Sequence, residues 1–280
     1  EKLAEQIRAD RSFPREGADA SHADFASSST TSPEAYRYYL EGIEYQNRFF
    51  NTEARGAFKH AVQIDSTFAV AWMRLAQQLS GQEWQAARDK AERFMNFASP
   101  RDRVMIQAYL AQANGDNKTS GDLMREAAAR YPDDKEILYS LAVSYSNIDE
   151  RQLAITTLHR ALELDPGFKT GWNQLAYVFM RHELPDSALR AVNKYIELAP
   201  DEPNPYDSKG DILAYLGQLD SAIVYYNRAL EIRPEFTMQT VTKLGIANML
   251  QQNYDEAGRL FRKAMGSSNS IERQLARTQW

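Results

Sequence analysis

The chain has 280 residues and a formal net charge of −5, from 33 Lys and Arg against 38 Asp and Glu. That balance argues against a nucleic-acid partner, which needs a basic face. Cysteine is absent, which excludes disulfides, thiolate nucleophiles and cysteine-ligated zinc, and no window approaches 18 apolar residues, so no helical membrane span is expected.

Hydrophobic residues make up 43% of the chain, enough material for a core. A soluble protein is expected, in the cytoplasm sooner than in the periplasm, although the lack of cysteine suits both. The chain opens on Glu1 with no basic-then-apolar leader, which reads as a piece of a longer protein or one whose leader is gone.

Residues 1–10 read as a short helix with Leu3 and Ile7 on one side. Residues 14–33 hold Pro14, Gly17 and the run Ser27-Ser28-Ser29-Thr30-Thr31-Ser32-Pro33. They form a polar linker with too little apolar surface to fold alone. Segment 1–32 is therefore set apart from the rest of the chain. Ser32-Pro33-Glu34 has the chemistry of a helix start: a capping hydroxyl, a proline in the first turn and an early carboxylate.

From there a repeat runs through the chain. Pro132, Pro166, Pro200 and Pro234 stand 34 residues apart. Windows at about 35–68, 69–102, 103–134, 135–168, 169–202, 203–237 and 238–270 share one pattern. The first has Gly42 and Tyr45, then Ala54, Phe58 and Ala61. The second has Trp72, Leu75 and Ala76, then a shortened run through Trp84 and Ala87. The third is the weakest, with a polar turn at Asn114-Gly115-Asp116-Asn117 that reads as long and leads to an expectation of two irregularly packed helices. The fourth has Leu138, Leu141, Ala142 and Tyr145, then Ala154, Leu158, Ala161 and Pro166. The fifth has Trp172, Leu175, Ala176 and Phe179, then Ala188, Val192 and Pro200. The sixth has Tyr206, Gly210 and Leu213, then Ala222, Tyr226, Ala229 and Pro234. The seventh has Leu244 and Gly245, then Ala257, Phe261 and Ala264, with one extra residue near Thr237. Residues 271–280 read as a capping helix or the opening of a further unit.

Apolar residues three and four apart make each half-unit an amphipathic helix. Small residues recur at one place on the first helix and one on the second, so the pair can approach closely. Prolines between units end one helix without costing the next a hydrogen bond.

This 34-residue helix-turn-helix pattern resembles the tetratricopeptide repeat closely. The resemblance covers roughly residues 33–270. It implies an all-α fold, an alpha-alpha superhelix of about seven helix-turn-helix repeats, and a protein-binding function with no catalysis of its own. The segment from Thr31 to Gly42 further resembles the start of repeat arrays in bacterial multidomain signalling proteins, which often follow a TolB-like domain. The stub Leu3-Ala4-Glu5-Gln6-Ile7-Arg8 looks like the tail of such a preceding domain. A regulatory module of a larger signalling protein is the implied context.

No phosphate-binding glycine loop, metal-ligand spacing or catalytic constellation stands out, so no cofactor, metal or catalytic residue is expected. First-helix positions expected to face a groove carry Tyr36, Tyr39, Met73, Arg74 and Gln77, then Tyr139, Val143, Asn173 and Tyr177, then Asp207 and Asp211. Tyrosine and asparagine bring contact area and adaptable hydrogen bonds to a bound peptide. The family's lysine and arginine clamp for a terminal carboxylate is not reproduced. Asp207 and Asp211 put negative charge there instead, which points to a basic or aromatic protein segment as partner. A structural or oligomerisation element with no separate ligand is the alternative. A helical enzyme domain is a second alternative, and would require clustered titratable groups in a closed pocket.

Overall fold

The structure, a computed structural model, describes residues 29–234 and 236–266. The helices expected over 1–10 and 271–280 lie outside the described residues. The described chain is helical, without strands, and divides between Pro132 and Asp133 into two compact units.

The first unit contains α1 (Pro33–Asn47), α2 (Asn51–Ile64), α3 (Ala69–Ala76), α4 (Gly81–Phe94), α5 (Pro100–Ala113) and α6 (Asn117–Arg130). They pair as hairpins α1–α2, α3–α4 and α5–α6. As expected, α1 starts at the Ser32 cap: its Oγ accepts the Ala35 amide at 3.2 Å, and Pro33 follows. Serine and proline repeat the device at α5, where the Ser99 Oγ accepts the Asp102 amide at 3.1 Å and Pro100 follows. Phe58, Phe68, Met73 and Ile106 are fully buried in this unit's core.

Two expectations change in this unit. The turn before α6 is no longer than the others, because Gly115 takes a φ of +80° and the Asp116 side chain caps the helix through the Thr119 amide at 3.0 Å. The end of the polar run is also not a bystander. Ser29 and Thr30 are both buried. The Ser29 hydroxyl donates to Asp102 and accepts the Ser99 amide, while the Thr30 hydroxyl donates to Asp65. Two hydroxyls and two carboxylates tie residues 29–30 to the turn before α3 and the first turn of α5, a polar attachment that apolar patterning does not register.

The second unit contains α7 (Lys135–Asn147), α8 (Arg151–Leu164), α9 (Lys169–Arg181), α10 (Pro185–Leu198), α11 (Asn204–Tyr215), α12 (Leu219–Ile232), α13 (Met238–Leu250) and α14 (Tyr254–Met265). They pair as four hairpins, each leaning on the next. Ala142 and Ala176 on first helices, and Ala154, Ala188 and Ala222 on second helices, have no exposed surface. These are the small-residue seams the spacing implies.

One local device recurs across the chain. The Trp72 indole donates to the Ser66 carbonyl, the Trp172 indole to the Pro166 carbonyl, and the Tyr206 hydroxyl to the Pro200 carbonyl, each at 2.9 Å and each six residues back. An aromatic ring at this place packs on the hairpin while its polar tip satisfies a carbonyl of the inter-repeat turn.

Candidate functional site

In the second unit the 34-residue step places Tyr139, Asn173 and Asp207 at one position of successive first helices, and Val143, Tyr177 and Asp211 at the next. Tyr139 is half-buried and sets its ring edge-on to Phe168, 5.6 Å between centroids. Val143 is half-buried beside it in sequence phase. Asn173 is 8% exposed, and its Oδ1 is buried with no hydrogen-bond partner.

Tyr177, Asp207 and Asp211 come together around a group that repeat phase does not pair with them. Lys243 Nζ donates to Asp207 Oδ2 at 2.7 Å and to Asp211 Oδ2 at 2.8 Å. The Tyr177 hydroxyl donates to Asp211 Oδ2 at 2.7 Å, and Tyr226 to Asp211 Oδ1 at 2.9 Å. Thr240 Oγ1 donates to Asp207 Oδ1 at 2.8 Å. One ammonium and three hydroxyls, drawn from α9, α12 and α13, close on two carboxylates of α11.

Electrostatics follow from that closure. Burial lifts the Asp207 pKa above its ordinary 3.8; Lys243 pulls it back and Asp211 adds to the rise. Burial alone would depress Lys243, but the two carboxylates outweigh it and hold its pKa above 10.5. Tyr177 is pushed well above 10.0, first by burial and then by the charges of Asp211 and Asp207. Asp207 is only 5% exposed. The two aspartates are therefore not an open acidic patch: their oxygens are engaged within the fold, and two carboxylates against one ammonium leave a single net negative charge. The sequence spacing conceals this, since Lys243 stands 36 residues after Asp207 and 32 after Asp211. Neither is the repeat step.

In the first unit Tyr36 stacks on Tyr39 at 6.2 Å, and Tyr39 in turn contacts Phe58 at 6.0 Å and Phe68 at 5.1 Å. Burial raises the Tyr39 pKa, with Arg74 opposing. The Gln77 side-chain oxygen accepts from Gln46 Nε2 at 3.3 Å and lies at 3.5 Å from Arg74 Nη1. Tyr36 and Tyr39 thus lie on α1, Arg74 on α3 and Gln77 just past its end. Met73 does not join them. It is 1% exposed and packs in the core, because one residue along a helix turns the side chain by about 100° and Met73 falls on the inward side.

Among the described residues no cluster of His, Cys, Asp and Glu could hold a metal ion, and no helix is long and apolar enough to cross a membrane.

Tetratricopeptide repeat family models match residues 148–203 and 204–236. No curated protein matches the chain. Among solved structures, a tetratricopeptide repeat protein from Parabacteroides merdae ATCC 43184 is similar, with 15% identity and a TM-score of 0.57 over 88% of this chain and 98% of that one. TTC0263, a thermophilic TPR protein in Thermus thermophilus, has 18% identity and a TM-score of 0.55 over 64% of this chain and 97% of that one. The APC/C hetero-tetramer Cut9-Hcn1 has 20% identity and a TM-score of 0.51 over 78% of this chain and 43% of that one. These likenesses establish the fold: an all-α tetratricopeptide solenoid, with family-model repeats over residues 148–236.

Proposed function

We propose that the chain is a protein-interaction scaffold whose first-helix faces bind a partner polypeptide. The observation that carries it is the run of Tyr139, Val143 and Asn173 at matching places on α7 and α9, of which Tyr139 and Val143 are half-buried and open to a partner. In the first unit Tyr36, Tyr39, Arg74 and Gln77 supply an equivalent aromatic and hydrogen-bonding lining.

The engaged state of Asp207 and Asp211 changes the partner's expected chemistry. One residual negative charge disfavours a carboxylate-terminated tail more than it recruits a cation, so a polar, aromatic-bearing segment fits best and a basic one is second. A regulatory module of a bacterial signalling protein is the context we favour, on the likeness of residues 31–42 to the start of such arrays. The tight cluster of charges around Lys243 reads as a brace, its members bonded to one another, and supports a binding role over an enzymatic one.

The test is selection of peptides from a displayed library on the 280-residue chain, with affinities measured on Tyr139→Ser and Asn173→Ala variants. Losses of about tenfold, set against no change for Tyr254→Ser (66% exposed), are expected. Equal binding to all three variants would remove the assignment to this face.

A further inference from the structure

A cavity of about 510 Å³ opens between α2, α3 and α4 of the first unit. It does not include the groove residues Tyr36, Tyr39, Arg74 or Gln77. Its floor is Trp72, Leu75 and Leu79, and one wall is the stripe of α2 that carries Arg55, Gly56 and Lys59. The volume falls within the range of about 300–1,000 Å³ usual for ligand sites.

Three features bear on what this trough can hold. The first is a fixed aromatic floor, because the Trp72 indole is tethered to the Ser66 carbonyl at 2.9 Å. The second is charge. Arg55 and Lys59 are exposed, and neither pairs with a carboxylate among the described residues, while Glu83 on α4 is the one acid in the lining. The third is Gly56. It sits exposed in the middle of α2, where glycine is a poorer helix residue than alanine, and a β-carbon there would meet nothing within 4 Å. Packing in the fold does not call for a glycine at this place. The open space over it lets an occupant come close to the α2 backbone.

We propose that this trough is a second binding site, which takes an acidic polypeptide segment carrying aliphatic side chains. An aliphatic side chain rests on Trp72, Leu75 and Leu79, its main chain passes over Gly56, and flanking carboxylates meet Arg55 and Lys59. Charge complementarity selects the occupant: a basic segment would set like charges together along the α2 wall. The site is separate from the first-helix faces, so a scaffold with both would hold two partners or two segments of one.

The experiment uses the full chain and a fluorescein-labelled peptide, Glu-Leu-Glu-Glu-Leu-Glu, against a Lys-Leu-Lys-Lys-Leu-Lys control. Fluorescence anisotropy reads affinity, and the Trp72 indole resonance, identified with Trp72→Phe, reports the place of binding. The acidic peptide should bind and shift that resonance, and the basic one should do neither. Arg55→Glu with Lys59→Glu should weaken binding about tenfold or more. Gly56→Leu should abolish it while the thermal midpoint stays at or above that of the parent, since no atom stands in the way; this separates a blocked site from a damaged fold. Unchanged binding in Gly56→Leu, or equal binding of the basic peptide, overturns the proposal. So does binding that emerges only after residues 1–28 are removed, which would give the trough to the chain's own N-terminal segment. A dimer in light scattering that Gly56→Leu abolishes would give it to a second copy, with the same consequence.

Discussion

A β-carbon built on Gly42 would stand 2.5 Å from Cε1 of the Phe58 ring. Gly210 has the same relation to Tyr226 at 2.5 Å, and Gly245 to Phe261 at 2.8 Å. In each hairpin the two residues are 16 apart. Where the first position is alanine, as at Ala142 and Ala176, the residue 16 further on is Leu158 or Val192. In these five hairpins glycine goes with an aromatic ring and alanine with a branched aliphatic, so volume across the seam is balanced. Gly42→Ala is therefore expected to cost about 1–3 kcal/mol by overpacking. Phe58→Leu should cost less in the Gly42→Ala background than in the parent. A double-mutant cycle by chemical denaturation measures this, and purely additive losses would show that ring and backbone do not meet.

Every helix–helix hairpin turns through one left-handed residue, and glycine does not always supply it. Gly81, Gly115 and Gly217 have φ of +59°, +80° and +75°, while Phe49, Asp149, Glu183 and Gln252 hold +59°, +61°, +58° and +65°. A side chain in this region costs about 1–2 kcal/mol, of which glycine's greater freedom in the unfolded chain returns about 0.4–1. Glu183→Gly should accordingly stabilise the chain by roughly 0.5–1 kcal/mol. A thermal midpoint that falls in this variant would refute the strain assignment.

Lys243 bridges two carboxylates, one of them on a side chain only 7% exposed. Replacing it with methionine strands that charge, and the loss should approach about 3–5 kcal/mol. Adding Asp207→Asn, which keeps the shape and removes the charge, should recover part of it. Denaturant unfolding followed through the helical circular dichroism signal checks both. A loss below about 1 kcal/mol, typical of a surface ion pair, would demote the bridge to decoration.

Alkaline pH should unfold the chain through its buried phenols. Burial comes first among the causes that raise Tyr39, Tyr109, Tyr177, Tyr195 and Tyr226 above 10.0, and Lys243 lies above 10.5 because its two aspartates outweigh its burial. For each group the folded state holds its proton more tightly than the unfolded state. Stability is thus fully present below the ordinary value and declines as pH rises past about 10. Asp207, also raised, contributes a decline on the acid side as pH rises through and above 3.8. Tyrosinate absorbance should show part of the 15 tyrosines ionising only together with loss of helix. Reversible titration of all of them near pH 10 with the helical signal intact would contradict that burial.

Cutting the chain at Pro33 should weaken the third hairpin as well as the first. Removal of Ser29 strands Asp102, which is 8% exposed and retains a contact to Arg101 at 3.0 Å. Hydrogen exchange should reveal faster opening of α5 in a chain that starts at residue 33 than in one that starts at residue 29. Equal protection would mean that the hydroxyl attachment carries no weight.

The hairpins were legible in the amino-acid order because they rest on local rules. A stripe of apolar side chains, a small residue where two helices touch, a capping hydroxyl and a proline after the helix each act within one or two turns. A 34-residue period then repeats those rules down the chain. The aromatic residues Trp72, Trp172 and Tyr206 could be placed in register from spacing alone.

Contacts between repeats whose spacing is not the period were decided only by tertiary structure. Lys243 reaches Asp207 and Asp211 across 36 and 32 residues, neither of which is the period. Met73 is core because a 100° step on a short helix carries it inward. Ser29 and Thr30 attach through hydroxyls that no hydrophobic pattern marks. In each case the energy comes from groups far apart in the chain, whose separation depends on how the helices lie, and the order of residues does not by itself state that separation.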